Sequence, residues 1–218
     1  MEHEEYWRLI EIERRGVADL LDELDEEQWD SPSLCAGWRI RDVAAHLAYV
    51  TDPPSPLRMA AAALRVGGSF HRLNHGSAVE LADRLGSGLA DHLRRQAGSR
   101  RLPAVTNHRN TLFDVLVHGQ DIAVPLDIPR TMPVDAARAG ADQVWSIGFP
   151  FSARKRMRGL RFTAEDTDWT VGEGAEVRGP VQALLMTLTG RTVCLDQLSG
   201  PGAPAVADRL TGARSALP

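Results

Sequence analysis

The sequence predicts a mainly α-helical protein, with a helical bundle over residues 1–150 followed by a small α+β domain over 151–218. Three observations carry this. Apolar residues recur at helical spacing through most of the first 150 residues. Near Phe149-Pro150 the pattern gives way to short alternating runs punctuated by glycine. The 218 residues, 43% hydrophobic and 25% charged, supply enough apolar surface for a sizeable core and a small companion domain.

In chain order, the first helix covers residues 4–24. Tyr6, Leu9, Ile10, Val17, Leu20, Leu21 and Leu24 form its apolar stripe, and Glu and Arg fill the other face. Residues 28–38 are rich in turn-formers but carry Trp29 and Trp38, and read as an ordered connector. A second helix over 40–50 turns Ile40, Val43, Ala44, Leu47 and Val50 inward, with His46 bordering that stripe. Asp52-Pro-Pro-Ser-Pro56 breaks it, and residues 60–66 make another turn or two before Gly67-Gly68. A third helix over 79–96 carries Leu81, Leu85, Leu89 and Leu93, every fourth residue. The fourth lies within 111–125, built on Leu112, Val115, Leu116 and Ile122, and stops at or before Pro125. Residues 134–147 are helical as well.

In the second domain, residues 159–164 and 168–171 read as strands with a turn at Gly172-Glu-Gly174. Residues 181–188 form a compact apolar helix introduced by Gly179-Pro180 and stopped by Gly190. Residues 192–195 read as one more strand and 205–210 as a closing helix. There is no internal repeat and no low-complexity segment.

The net charge of −4 argues against a nucleic-acid binder. The basic stretches Arg94-Arg95, Arg100-Arg101 and Arg154-Lys-Arg-Met-Arg158 are short and read as solvated faces. No apolar run approaches the roughly 18 residues of a membrane helix. The acidic start Met1-Glu-His-Glu-Glu has no signal-peptide character. Cys35 and Cys194 stand far apart and in no metal-ligand spacing, as expected of free thiols in a reducing cytosol. The expected location is cytoplasmic, with no membrane or nucleic-acid partner.

The chemistry concentrates on the fourth helix. Asp114 and His118 are four apart, on one face and one turn from each other, at the edge of the inward stripe. An ionisable pair turned toward a core costs free energy unless something satisfies it. A divalent ion would, with His46 of the second helix as third ligand, because zinc accepts imidazole nitrogen and carboxylate oxygen. The blander readings are a core-edge histidine and a surface ion pair. A rival pair, His71 and His75, is also four apart but lies between glycines in a stretch without helical periodicity, and reads as a solvated loop pair. His3, His92 and His108 have polar neighbours and read as exposed. Asp42, in the first turn of its helix, offsets the helix dipole or orients a ligand. Asp121, three past His118, is placed to hold a ligand histidine or to end the helix. No base is tied to Cys35 by spacing, so it reads as a structural thiol. There is no G-x-S-x-G or Walker motif.

Trp29…Cys35-Ala-Gly-Trp-Arg-Ile-Arg-Asp-Val-Ala-Ala-His46 resembles the second-helix motif of the mycothiol-dependent maleylpyruvate isomerase family, within the DinB/YfiT-like superfamily. Asp114-Val-Leu-Val-His-Gly-Gln-Asp-Ile122 is similar to that family's second metal motif. Leu160-Arg-Phe-Thr-Ala-Glu-Asp-Thr-Asp-Trp169, Gly179-Pro-Val-Gln-Ala-Leu-Leu185 and Gly190-Arg191 resemble its C-terminal domain. The resemblance implies a DinB-like four-helix bundle holding a divalent metal, usually zinc, on His46, Asp114 and His118. It further implies a low-molecular-weight thiol such as mycothiol as cosubstrate. The activity would be thiolate addition to a small electrophile, by an isomerase or by an S-transferase of detoxification or secondary metabolism. The reading from another class is a non-catalytic small-molecule-binding bundle. Two departures from the family pattern stand out: Asp114 where the family has Glu, and Arg39 where it often has Thr or Ser, which removes an N-cap. Arg161, Arg178 and Arg191 are the candidates for binding substrate or thiol. The expected state is a monomer or homodimer.

Overall fold

The computed structural model describes residues 1–53, 70–103 and 106–214. It is mainly helical with one small mixed sheet. The contacts divide the chain into two compact units, Met1–Arg130 and Thr131–Pro218.

The first unit contains α1 (His3–Asp22), α2 (Glu26–Asp30), α3 (Ile40–Thr51), α4 (Phe70–Leu85), α5 (Leu89–Arg95) and α6 (His108–Ala123). Helix α1 packs on α5 and α6, while α3 packs on α4, α5 and α6. Val17, Leu21, Ile40, Val43, Leu47, Leu89, Leu93, Val115 and Ile122 meet in one buried cluster. Each fully buried Leu or Ile there stabilises the fold by roughly 1.5–3 kcal/mol.

Local chemistry sets the ends of these helices. Asp25 and Gln28 form a capping box at α2, each side chain accepting from the other's backbone N–H, at 2.8 and 3.0 Å. At α3 Arg39 has no side-chain hydroxyl to cap the first helical N–H groups, and the reciprocal half of a capping box comes from inside the helix. Asp42 Oδ2 accepts from the Arg39 backbone N–H at 2.9 Å, and the same carboxylate holds the Arg39 guanidinium at 3.0 Å. Asn107 Oδ1 accepts from the N–H groups of Arg109 and Asn110 at 2.9 and 3.0 Å, which starts α6 a turn before the apolar stripe.

The third helix differs from its expected form. It starts at Phe70, and a 3-10 turn at Gly86–Gly88 separates α4 from α5, with Gly86 at φ +49°. His75 therefore stands on a helix, half-buried, rather than in a solvated loop. The turns expected over 60–66, and the side chain of His71, lie outside the described residues.

The second unit contains α7 (Val134–Ser146), α8 (Ala153–Arg156), β1 (Leu160–Ala164), β2 (Thr170–Gly172), β3 (Ala175–Gly179), α9 (Val181–Leu188) and α10 (Ala203–Arg214). The strand order is β2-β1-β3, with β1 antiparallel to β2 and parallel to β3. Leu160, Phe162 and Ala164 point inward from β1 while Arg161 is exposed, the alternation expected of a one-sided strand. The division between units falls at Arg130/Thr131, twenty residues before the change in sequence character near 150. The cause is α7, whose small buried face of Ala136, Ala137, Gly140 and Ala141 packs on α9. Residues 192–195 form no strand; they turn into a 3-10 segment at Leu195–Gln197. Among the described residues no helix is long and apolar enough to cross a membrane.

Candidate metal centre

Helix α3 brings His46 and helix α6 brings Asp114 and His118 to one place. On α6 the buried Val115 and Ile122 fix which face turns inward, and the one-turn offset aligns the acid with the histidine. On α3 the buried Val43 and Leu47 do the same for His46. The three side chains are 12%, 26% and 17% exposed, within reach of solvent yet mostly enclosed.

His46 Nε2 lies 3.4 Å from Asp114 Oδ2, and His118 Nε2 lies 3.5 Å from Asp114 Oδ1. The two rings stand nearly edge to face with centroids 4.9 Å apart. A charge-assisted hydrogen bond would close to about 2.7–2.9 Å. Two ligands of one tetrahedral zinc, each about 2.0–2.2 Å from it, stand about 3.4 Å apart. One separation runs to each carboxylate oxygen, and both suit ligands of a shared divalent ion; without an ion they are long, weak hydrogen bonds. These three residues are one of two groups among the described residues that can hold a metal ion.

The other face of His118 is occupied too. Its Nδ1 lies 2.8 Å from Oδ2 of the fully buried Asp121. The Cys35 thiol donates to that same oxygen at 3.1 Å and stands 3.7 Å from His118 Nδ1. The connector carrying Cys35 is fixed in place. Leu34 N–H donates to the Asp121 backbone oxygen at 3.1 Å, and Ser33 closes a turn onto the Trp38 carbonyl at 2.9 Å, with Gly37 at φ +78°. Trp38 then lies edge-on to His46 at 5.9 Å and tilted against His75 at 5.2 Å, forming an aromatic wall beside the site.

Charge reinforces this geometry. Burial would raise the Asp114 carboxyl, but the adjacent His46 and His118 hold it well below the usual carboxylate range. Burial opposes a charged His118 ring as well. Asp114 and Cys35, with hydrogen bonds to Asp114 and Asp121, outweigh that and lift it well above the ordinary histidine value. Without a metal, the His118 ring lies between two carboxylates that favour its charged form. Arg14 of α1, 1% exposed, adds a further positive group. It donates to the Ala97 and Ser99 carbonyls at 3.1 and 2.7 Å, and burial pushes it down to about 10 against the charge of Asp114.

The structure thus brings together His46, Asp114 and His118, and it puts Asp121 on the outer nitrogen of His118. It places Asp42 elsewhere, with its carboxylate on Arg39 rather than on His46. Arg161, Arg178 and Arg191 all belong to the second unit. Arg178 faces Glu165 and Glu176 at 3.6 Å, Arg191 donates to the Thr189 carbonyl at 3.1 Å, and Arg161 is exposed. His92 and His108 are half-buried rather than exposed, His108 packing on Tyr6 at 5.1 Å. Sequence spacing missed Cys35, which is 83 and 86 residues from its partners. The signal that was available is its place in the ordered connector just before Trp38.

Residues 10–101 match the family model of the mycothiol maleylpyruvate isomerase N-terminal domain. That match takes in α3 with His46 and ends before α6. The solved structure of the mycothiol-dependent maleylpyruvate isomerase is similar over 93% of this chain and 94% of its own, with a TM-score of 0.62 and 15% identity. A histidine-to-alanine variant of that isomerase gives the same coverage and identity with a TM-score of 0.66. The fold is therefore shared along nearly the whole chain. Comparison with curated proteins gives no match.

Proposed function

We propose that this protein is a metal- and thiol-dependent enzyme that adds a low-molecular-weight thiolate of the mycothiol type to a small electrophile. The observation that carries the reading is the convergence of His46 Nε2, the Asp114 carboxylate and His118 Nε2 at 3.4–3.5 Å. The family-model match over residues 10–101 and the fold shared with a mycothiol-dependent isomerase support it.

In this reading His46 and His118 present their Nε2 lone pairs and Asp114 its oxygens. Asp114 is one carbon shorter than the Glu of the family the chain resembles, and its oxygens stand 3.4 and 3.5 Å from the two histidines, which supports it as a ligand. Asp121 takes the Nδ1–H of His118 and thereby leaves the lone pair on Nε2, facing Asp114. Trp38 packs edge-on against His46 and limits its rotation. A zinc ion held there would stabilise the thiolate of a bound thiol at neutral pH. Addition of that thiolate to an activated double bond, rotation about the new single bond and expulsion of the thiol isomerises the substrate. Retention of the thiol makes the enzyme an S-transferase.

Elemental analysis of the purified protein beside His46→Ala and His118→Ala tests the site. Near-stoichiometric zinc or nickel in the parent, lost in both variants, is the expected result. A parent that neither contains nor takes up zinc would overturn it and favour the binding-bundle reading. With the metal established, cis–trans conversion without net thiol loss identifies an isomerase, and stoichiometric thiol loss an S-transferase.

A further inference from the structure

We propose that Cys35, Asp121 and the Nδ1 face of His118 form a second, sulfur-containing cation site for thiophilic ions such as Cd2+, exclusive with the first because both draw on one imidazole. Only the exclusivity rests on the first-site reading; the second site stands on its own geometry.

The three donor atoms lie within 4.8 Å of one another. Cys35 Sγ and His118 Nδ1 are 3.7 Å apart. Sulfur and nitrogen ligands of one tetrahedral ion, at about 2.3 and 2.0–2.1 Å from it, stand about 3.6 Å apart. That edge of the site is already at the length a zinc-sized ion requires, and the larger Cd2+ needs it slightly wider. Asp121 Oδ2 sits closer, 2.8 Å from the nitrogen and 3.1 Å from the sulfur, and needs to retreat by about half an ångström to admit an ion. The Asp121 backbone stays anchored by the Leu34 N–H while its carboxylate moves.

Donor softness separates the two sites. The first offers two nitrogens and a carboxylate. The second offers a thiolate, which favours soft ions. The imidazole couples them. A neutral ring has one N–H and one lone pair. An ion on Nε2 leaves the proton on Nδ1, donated to Asp121. An ion on Nδ1 leaves it on Nε2, donated to Asp114. Filling the second site breaks the Cys35 S–H and His118 Nδ1–H bonds, forms metal–sulfur and metal–nitrogen bonds, and passes the displaced protons to solvent. A thiophilic ion thus closes the first site by turning His118 into its other tautomer.

Titration of CdCl2 into the metal-free full-length protein, followed by ultraviolet cadmium–thiolate charge-transfer absorption, tests this. The band is expected at one equivalent in the parent, in Cys194→Ser and in His46→Ala. It is expected to vanish in Cys35→Ser and in His118→Ala, with circular dichroism confirming that both remain folded. Adding Cd2+ to nickel-loaded protein is expected to release the nickel as the band grows. No band in the parent, or a band that survives in Cys35→Ser, overturns the site. Nickel retained at full occupancy beside a full cadmium band overturns the exclusivity. His46→Ala removes a first-site ligand alone, so the two readings fail separately.

Discussion

Asp121 Oδ2 accepts from His118 Nδ1 at 2.8 Å from a position with no solvent exposure, and this contact decides which nitrogen of His118 faces Asp114. The imidazole and the Cys35 thiol hold the carboxylate, and the Leu34 N–H holds the residue's backbone oxygen. A buried carboxylate so anchored sets the ring's rotation and, once a metal displaces the Nε2 proton, keeps the remaining proton on Nδ1.

Asp121→Asn tests this contact with almost no change of shape. The amide can turn an N–H toward Nδ1 and so favours the tautomer with its proton on Nε2. Zinc affinity is expected to fall by about 10–100-fold while the helix content holds. Competition with a chromophoric chelator measures it. Unchanged affinity would show that packing alone orients the ring.

Asp42 is the contrasting acid. It is 2% exposed, and its partners are the Arg39 N–H and guanidinium at the start of α3. Asp42→Ala is expected to destabilise the protein by about 1–3 kcal/mol through the lost cap and the stranded donors, with zinc affinity unchanged. Urea unfolding beside the chelator assay separates the two effects. A large loss of affinity at intact stability would instead make Asp42 part of the metal site.

The raised value of His118 and the lowered value of Asp114 set a pH dependence for the metal-free protein. The His118 contribution to stability is complete below its unfolded value of about 6.5 and is lost as pH rises through the higher folded one. The Asp114 contribution is present above its unfolded value of about 3.9 and is lost as pH falls toward the lower folded one. A metal on Nε2 must displace the His118 proton, so zinc binding at pH 7 is expected to release about one proton. Calorimetry in buffers of different ionisation enthalpy reads that number. Binding without proton release would mean that His118 is neutral before the metal arrives.

The fold was legible where periodicity was strong. The stripes of α1, α3, α6 and α9, and the alternation of Leu160, Phe162 and Ala164, are local signals, and the structure follows them. Helix α4 begins among Phe70, His71, Asn74 and Gly76, where no apolar stripe exists, and it forms because it packs against α3. Strand β3 was missed because Ala175–Gly179 has only Val177 as a large apolar residue and gains its place by pairing with β1. Asp114, His118 and Asp121, each one helix turn from the next along α6, were readable as a set. Cys35 and Trp38 reach that set only through the path of the connector, and no spacing encodes such a path.

Gly119, next to His118, faces Arg130 rather than the metal centre. A methyl group added there would stand 2.8 Å from Arg130 Nε and 3.4 Å from Val17 Cγ2. Arg130 cannot yield freely, because its guanidinium holds Glu13 at 2.6 Å and its carbonyl accepts from Gln120 at 2.9 Å. Glu13 is 6% exposed, and burial already raises its carboxyl against the pull of Arg130. Helix propensity favours alanine over glycine by about 1 kcal/mol. Stranding one partner of a buried pair costs about 3–5 kcal/mol. The second effect is larger, so Gly119→Ala is expected to destabilise the protein by about 2–4 kcal/mol in urea unfolding. In a Glu13→Leu/Arg130→Leu background the same substitution loses its penalty and keeps the propensity gain, giving a non-additive cycle. An additive cycle would place the strain on Val17 and the α1–α6 contact instead of on the ion pair.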